Sequence, residues 1–314
     1  MFTCTGYTSK FKKGPESLYK MEDAVAKQES KLSKYLKLLL KVAVTVVCFW
    51  YISKKIDFSA AKNAFLKANW SWLLLACLLL ALSKLFSSFR LNIYFRNIQV
   101  RLPEWKNIRL YWLGMFYNLF LPGSISGDAY KVVLLKKKYN APYKKTSSAV
   151  LLDRFSGLLA LGLILSVYGV IVLDKNVFIL VLAFGSLAAI AGLYFIVRFY
   201  FKDFLPAFWS TFFWGLLVQS TQVVCVYCIL AALRLPVSEP QWIFIFLIAA
   251  VVAVFPISLG GGLGTREVMF VEGAKYFHLD PQVGLVISLL FYLLTVLTSI
   301  WGIFFIFFDP LKND

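Results

Sequence analysis

The 314-residue chain is 60% hydrophobic and 16% charged, where soluble domains are about half apolar and about 25% charged. Its mean hydropathy of +0.73 excludes a soluble enzyme, a disordered protein and a secreted disulfide scaffold. It leaves an integral, all-α membrane protein with several helical spans. The net charge of +17 is read as loops facing anionic lipid and not as nucleic-acid binding, because the basic residues sit between apolar runs.

Residues 1–36 are polar and basic, and 21–36 is patterned as an amphipathic helix on a membrane surface. Full-length spans are expected near 37–53, 70–94, 149–173, 177–198, 206–233 and 283–308, within one transmembrane domain covering 37–308. A short tail, 309–314, follows. No small-residue cleavage site follows the first apolar run, so it is read as a retained span. Two further apolar segments, 108–121 and 241–255, each run into a Pro/Gly break and then a second short helix. About 14 residues at ~1.5 Å each reach roughly 21 Å, short of the ~30 Å hydrocarbon core. Both are therefore expected to be re-entrant helical hairpins. That arrangement places the basic segments 95–109 and 131–148 on one side, taken as cytoplasmic together with both termini. The lysines of 53–69 do not fit it. Span, hairpin and span then recur, as 70–173 and 206–308, in an inverted repeat of the kind that builds transporter sites.

Non-helical backbone at membrane depth must be buried in protein or line a watery cavity. Helices starting near Gly127-Asp128 and Gly264-Thr265 would direct N–H groups and a positive dipole end at an anion. The plainer alternative is a structural turn capped by Ser126, Asp128 or Thr265. Charges within apolar runs are functional candidates: Arg90, Asp153, Arg154, Arg266, Glu267 and Glu272. Asp153-Arg154 also fits a snorkelling pair near the interface, and Arg90 lies close to the cytoplasmic face. Gly185, Ala188, Ala189 and Gly192 form a small-residue stripe read as helix packing. Of five cysteines, Cys225 and Cys228 form a CxxC pair without the second pair a zinc site needs. With His278 the only histidine, no metal or other cofactor is expected.

Four motifs stand in order. They are Asn69-Trp-Ser-Trp-Leu leading to Arg90, Asn118-Leu-Phe-Leu-Pro-Gly-Ser-Ile-Ser-Gly-Asp-Ala-Tyr-Lys131, Leu152-Asp-Arg-Phe-Ser-Gly157, and Pro256-Ile-Ser-Leu-Gly-Gly-Gly-Leu-Gly-Thr-Arg-Glu267. Together they resemble the transmembrane region of lysylphosphatidylglycerol synthases, the flippase-like domain family, across roughly 38–308. The resemblance implies an inner-membrane protein handling anionic or polyprenyl-linked lipids. In full synthases this region is joined to a soluble aminoacyltransferase domain. Lysyl transfer by the present residues alone is not expected. Lys131 stands where the family often has Arg, and Ser126 where it has a second Gly; Lys lacks the bidentate phosphate grip of Arg.

The candidate substrate-binding set is Asn118, Pro122, Gly123, Ser126, Gly127, Asp128 and Lys131 at the first break. Asp153 and Arg154 come from the following span, and Pro256, Gly260, Gly261, Gly262, Gly264, Arg266 and Glu267 from the second break. Arg154 and Arg266 would hold a phosphate headgroup, with Asp128, Asp153 and Glu267 orienting them. The expected activity is lipid translocation, with a membrane phospholipid or polyprenyl-phosphate lipid as partner and with homo-oligomers possible in principle. One alternative is a membrane enzyme, or the membrane subunit of a separate aminoacyl or glycosyl transferase. Another is a scaffold without transport.

Overall fold

Asn69 caps the first complete helix among the residues that the computed structural model describes, 66–120, 125–173, 176–254 and 264–311. The Asn69 side chain accepts a hydrogen bond from the Ser71 N–H at 3.1 Å, satisfying one donor that the first helical turn leaves over. Helix α1 then runs Trp70–Asn97, 28 residues, or about 42 Å at ~1.5 Å per residue. It is followed by α2 (Glu104–Phe120), α3 (Ser126–Tyr139), α4 (Tyr143–Val172), α5 (Asn176–Tyr200) and a 3-10 turn at Lys202–Ala207. Next come α6 (Phe208–Ala232), α7 (Pro240–Val254), α8 (Thr265–Tyr276) and α9 (Pro281–Ile300), which continues through a 3-10 turn into α10 (Phe304–Phe307). Among the described residues all regular structure is helical.

Five stretches are long and apolar enough to cross a membrane: Trp70–Asn97, Tyr143–Val172, Val177–Tyr200, Lys202–Ala232 and Pro281–Phe307. They match the five expected spans that fall on described residues. The expected span 37–53, the N-terminal segment, and Pro122, Gly123, Pro256, Gly260, Gly261 and Gly262 lie outside the described residues. Helix α2 has 17 residues and α7 has 15, reaching only about 25 and 22 Å. Helix α2 starts at Glu104, earlier than the apolar run suggested, because Glu104 and Lys106 extend it beyond the membrane-like stretch. The span expected from 206 opens instead as a 3-10 turn containing Pro206. Proline there supplies no N–H to a helical ladder.

Long, short, short, long is thus the helix order twice over, α1–α4 and α6–α9, with α5 between. Contacts follow the same exchange. Helix α4 packs on α6 and α7, and α9 packs on α1 and α2; α3 packs on α2 as α8 does on α7. The most extensive pairing joins α1 to α6, where Leu73, Ala76 and Leu80 share a buried core with Val226 and Ile229.

The connections sort to two places. Val100, Leu102, Ala141, Phe204 and Leu311 share one buried cluster, and the ion pairs Lys138–Asp309 and Lys145–Asp203 lie with it. At the other end of α1, the Asn69 N–H donates to the Ala232 carbonyl at 2.9 Å. Helix α5 is apolar and largely uncovered: Phe184, Leu187 and Phe199 are 69%, 64% and 65% exposed. Such a surface requires lipid or protein around it. Gly185 and Gly192 face open space, so the expected packing role of that stripe is not met by any described helix at these two positions.

Candidate functional site

The site begins where α2 and α3 touch. A Cβ at Gly127 would fall 1.9 Å from the Gly114 carbonyl oxygen, so the two backbones meet at a distance only glycine permits. Asn118, on the last turn of α2, accepts the Gly127 N–H at 2.8 Å. Ser126 Oγ donates to the Tyr117 carbonyl at 2.8 Å. The N–H of Gly127, expected to face an anion, is therefore taken by Asn118, which acts as a staple across the break.

Just inside α3, Asp128 is buried and bridges two cations. Its Oδ1 accepts from Lys131 Nζ at 2.9 Å and its Oδ2 from Arg154 Nε at 2.6 Å. Lys131 passes over Gly114, whose missing side chain leaves room for its Cε, and ends 4.5 Å from the centre of the Tyr111 ring. One carboxylate thus joins α3 to α4 and fixes the lysine over α2.

Asp153 does not orient Arg154, as the sequence order suggested. It accepts from Arg90 Nε of α1 at 2.7 Å, with the two side chains 6% and 11% exposed. Successive helical residues point about 100° apart, so neighbours 153 and 154 serve different partners. The guanidinium fits between two glycines: Cβ atoms at Gly157 and Gly215 would lie 3.2 and 3.3 Å from Arg90 Nη1. Arg90 Nη1 is buried without a hydrogen-bond partner among the described residues. Below it, Gln219 Nε2 donates to the Gly157 carbonyl at 3.2 Å.

These groups line a cavity of about 330 Å³ among α1, α2, α3, α4, α6, α7 and α9. Lys84, midway along α1, also lines it and has no hydrogen bond or ion pair among the described residues. Four cations (Lys84, Arg90, Lys131, Arg154) face two carboxylates (Asp128, Asp153), an excess of two positive charges. Met115, Leu119, Leu158, Leu161 and Val254 form an apolar wall. The first break and α4 therefore come together as expected: Asn118, Asp128, Lys131, Asp153 and Arg154 all line the cavity.

The described part of the second break is arranged otherwise. Gly264, at φ 86°, holds a left-handed turn that favours glycine. Its N–H donates to Glu267 Oε2 at 2.6 Å, and Ser288 Oγ donates to Glu267 Oε1 at 3.2 Å. Glu267 is thus a cap for its own helix. Arg266 stacks 4.6 Å from the Phe291 ring centre, and its Nε is buried without a hydrogen-bond partner among the described residues. None of these three lines the cavity. Lys84 was missed as a site residue, and Arg90, named as a functional candidate, was left out of the substrate-binding set. The signal was present: Ser83, Ser87, Arg90 and Tyr94 recur at one-face helical spacing within an apolar span, and all four are buried.

Comparison with known proteins decides the family. Residues 38–208 and 203–302 match the family described as lysylphosphatidylglycerol synthase TM region. The chain belongs to the lysylphosphatidylglycerol synthase TM region family. It is also similar to the UPF0104 membrane protein PH1989 of Pyrococcus horikoshii, 26% identical over 125 residues, 39% of this chain and 36% of that protein. The match thus spans about a third of that relative's length. Within the lysylphosphatidylglycerol synthase TM region, the cavity residues come from the half that precedes α5 and from α6, α7 and α9 of the half that follows it.

Proposed function

We propose that this protein is a lipid translocase of the cytoplasmic membrane whose cavity receives the headgroup of an anionic phospholipid or a polyprenyl-linked lipid. The observation that carries this is the cavity's composition, an excess of two positive charges beside an apolar wall. A free anion needs only the charges; a headgroup with its first methylenes uses both surfaces. Charge buried in a membrane bundle is expensive and marks substrate pathways. We read α2/α3 and α7/α8 as re-entrant hairpins entering from opposite sides, which the exchanged contacts of the two halves support. The cluster holding Val100, Ala141 and Leu311 is flanked by Arg101, Lys136, Lys137, Lys138, Lys144 and Lys145, so that end is assigned to the cytoplasm. No nucleotide-binding motif is seen in the sequence, and movement is passive, ion-coupled or driven by a partner.

The test is reconstitution into liposomes with fluorescent phosphatidylglycerol and phosphatidylcholine, with dithionite added outside. Protein-dependent bleaching of inner-leaflet phosphatidylglycerol is expected, and Arg154→Ala should slow it. Rates equal to protein-free vesicles for both lipids would remove the translocase reading. In a cysteine-free background, Arg101→Cys and Tyr143→Cys should both resist an impermeant maleimide applied to intact cells, whereas Arg234→Cys should react. Labelling of one of the first two alone would make α2–α3 a crossing.

A further inference from the structure

Resting on the lipid-binding role proposed above, we infer that the cavity is built for a phosphomonoester, a headgroup carrying two negative charges, in preference to a phosphodiester. Both carboxylates in the cavity are already engaged, Asp153 with Arg90 and Asp128 with Lys131 and Arg154. What remains unmatched among the described residues is the whole of Lys84 and the Nη1 edge of Arg90, both on α1 and both lining the cavity. The segments between the short helices, 121–124 and 255–263, contain no ionisable side chain, so neither break can neutralise the excess.

Uncompensated charge away from water is costly, and burial is tolerated when an opposite charge completes the set. A zwitterionic headgroup leaves the excess of two as it is. A phosphodiester cancels one. A phosphomonoester, at about −1.5 to −2 near neutral pH and with three acceptor oxygens, cancels both. Its terminal oxygens can also take separate donors, here the Lys84 ammonium and the Arg90 Nη1 edge, which a diester's two free oxygens do less completely. The apolar wall of Leu158, Leu161 and Val254 gives the attached chain a place that a soluble monoester would leave empty.

The full-length protein in detergent should be titrated with dioleoyl phosphatidic acid, dioleoyl phosphatidylglycerol, dioleoyl phosphatidylcholine and glycerol 3-phosphate. Phosphatidic acid is expected to bind about ten-fold tighter than phosphatidylglycerol, the size of one extra charge-assisted contact. Phosphatidylcholine and glycerol 3-phosphate should be weaker than either. Lys84→Met should bring the two anionic lipids to within about three-fold of each other, and Lys84→Arg should keep them apart. On the wild-type protein, acidifying to about pH 5 should erode the advantage as the monoester dianion takes up one proton and falls to a single negative charge. The charged and titratable side chains that line the cavity around the headgroup are Lys84, Arg90, Lys131, Arg154, Asp128, Asp153 and Tyr111. Equal binding of phosphatidic acid and phosphatidylglycerol, both above phosphatidylcholine, overturns the monoester assignment and keeps the lipid-binding role. Glycerol 3-phosphate binding as tightly as phosphatidic acid overturns the lipid role and keeps the monoester chemistry. No selectivity among the four overturns both. If Lys84→Met does not fold, the wild-type lipid series and its pH dependence still decide.

Discussion

Removing Asp153 isolates a buried guanidinium. Arg90 and Asp153 are 6% and 11% exposed and 2.7 Å apart, and Arg90 Nη1 already lacks a partner. Breaking such a pair from one side costs about 3–5 kcal/mol, because the surviving charge stays buried, while replacing both partners with apolar groups is often close to neutral. Asp153→Leu should therefore destabilise by about 3–5 kcal/mol. Asp153→Asn keeps an acceptor for Nε but turns a charge-assisted hydrogen bond into a neutral one, a loss of about 1–2 kcal/mol. Arg90→Met with Asp153→Leu should return to within about 1–2 kcal/mol of wild type, since the pair acts as a unit. The assay is denaturant unfolding in detergent micelles followed by tryptophan fluorescence, for wild type, Asp153→Leu, Asp153→Asn, Arg90→Met alone and the double variant. Additive losses in the double variant would refute the pairing as the reason for the burial of either group. The same series reads the cavity's charge. With Asp153→Asn the excess rises to three, so a variant that still folds should bind phosphatidylglycerol more tightly than wild type.

Glycine positions should separate sharply. Gly127→Ala meets the Gly114 backbone at 1.9 Å and should lose folded protein, whereas Gly185→Ala meets nothing within 4 Å and should gain about 0.5–1 kcal/mol from helix propensity; thermal melts of the two variants check this. Burial opposes ionisation of Asp309, but the Lys138 hydrogen bond, the Leu311 N–H and the Lys137 charge outweigh it and hold the carboxyl below the ordinary range. A depressed carboxylate adds stability that is present above its unfolded pKa and is lost as pH falls through the lower folded value. Attachment of 304–311 should therefore weaken only below about pH 4, seen as faster amide exchange there, and Asp309→Asn should show that faster exchange at neutral pH.

The spans and the two interrupted segments were legible because lipid imposes a length on every crossing helix, and composition alone reports it. Asp128 and Lys131 were picked out by the motif at the first break, and Asp153 and Arg154 by charge in an apolar run; the four line one cavity. Partner choice was not legible. Asp153 finds Arg90 across 63 residues, a matter of how α1 and α4 rotate against each other, and no local period encodes that. Asn118 lines the cavity as its motif suggested, but its hydrogen bond to the Gly127 N–H becomes visible only when the backbone closes. Arg266 was expected in the site as a charge at the second break, yet its guanidinium lies over Phe291, an aromatic face that no charge count anticipates. Glu267 follows the same pattern: a carboxylate three residues into a helix after glycine is first of all a cap.

Gly114 gives the site a history as well as a shape. The space its absent side chain would fill is used by Lys131 Cε, 2.2 Å from where a Cβ would stand, while its own carbonyl fills the space absent from Gly127. Three positions on two helices are therefore interlocked, and descendants of this sequence cannot revise them in any order. A shorter residue at 131 must come before a methyl group at 114, because a lysine stem can retreat but the methyl group cannot be accommodated while the stem is there. Position 127 faces backbone and has no such prior step open to it. Among diverging relatives, 114 and 131 should change together, and 127 should be the last of the three to change.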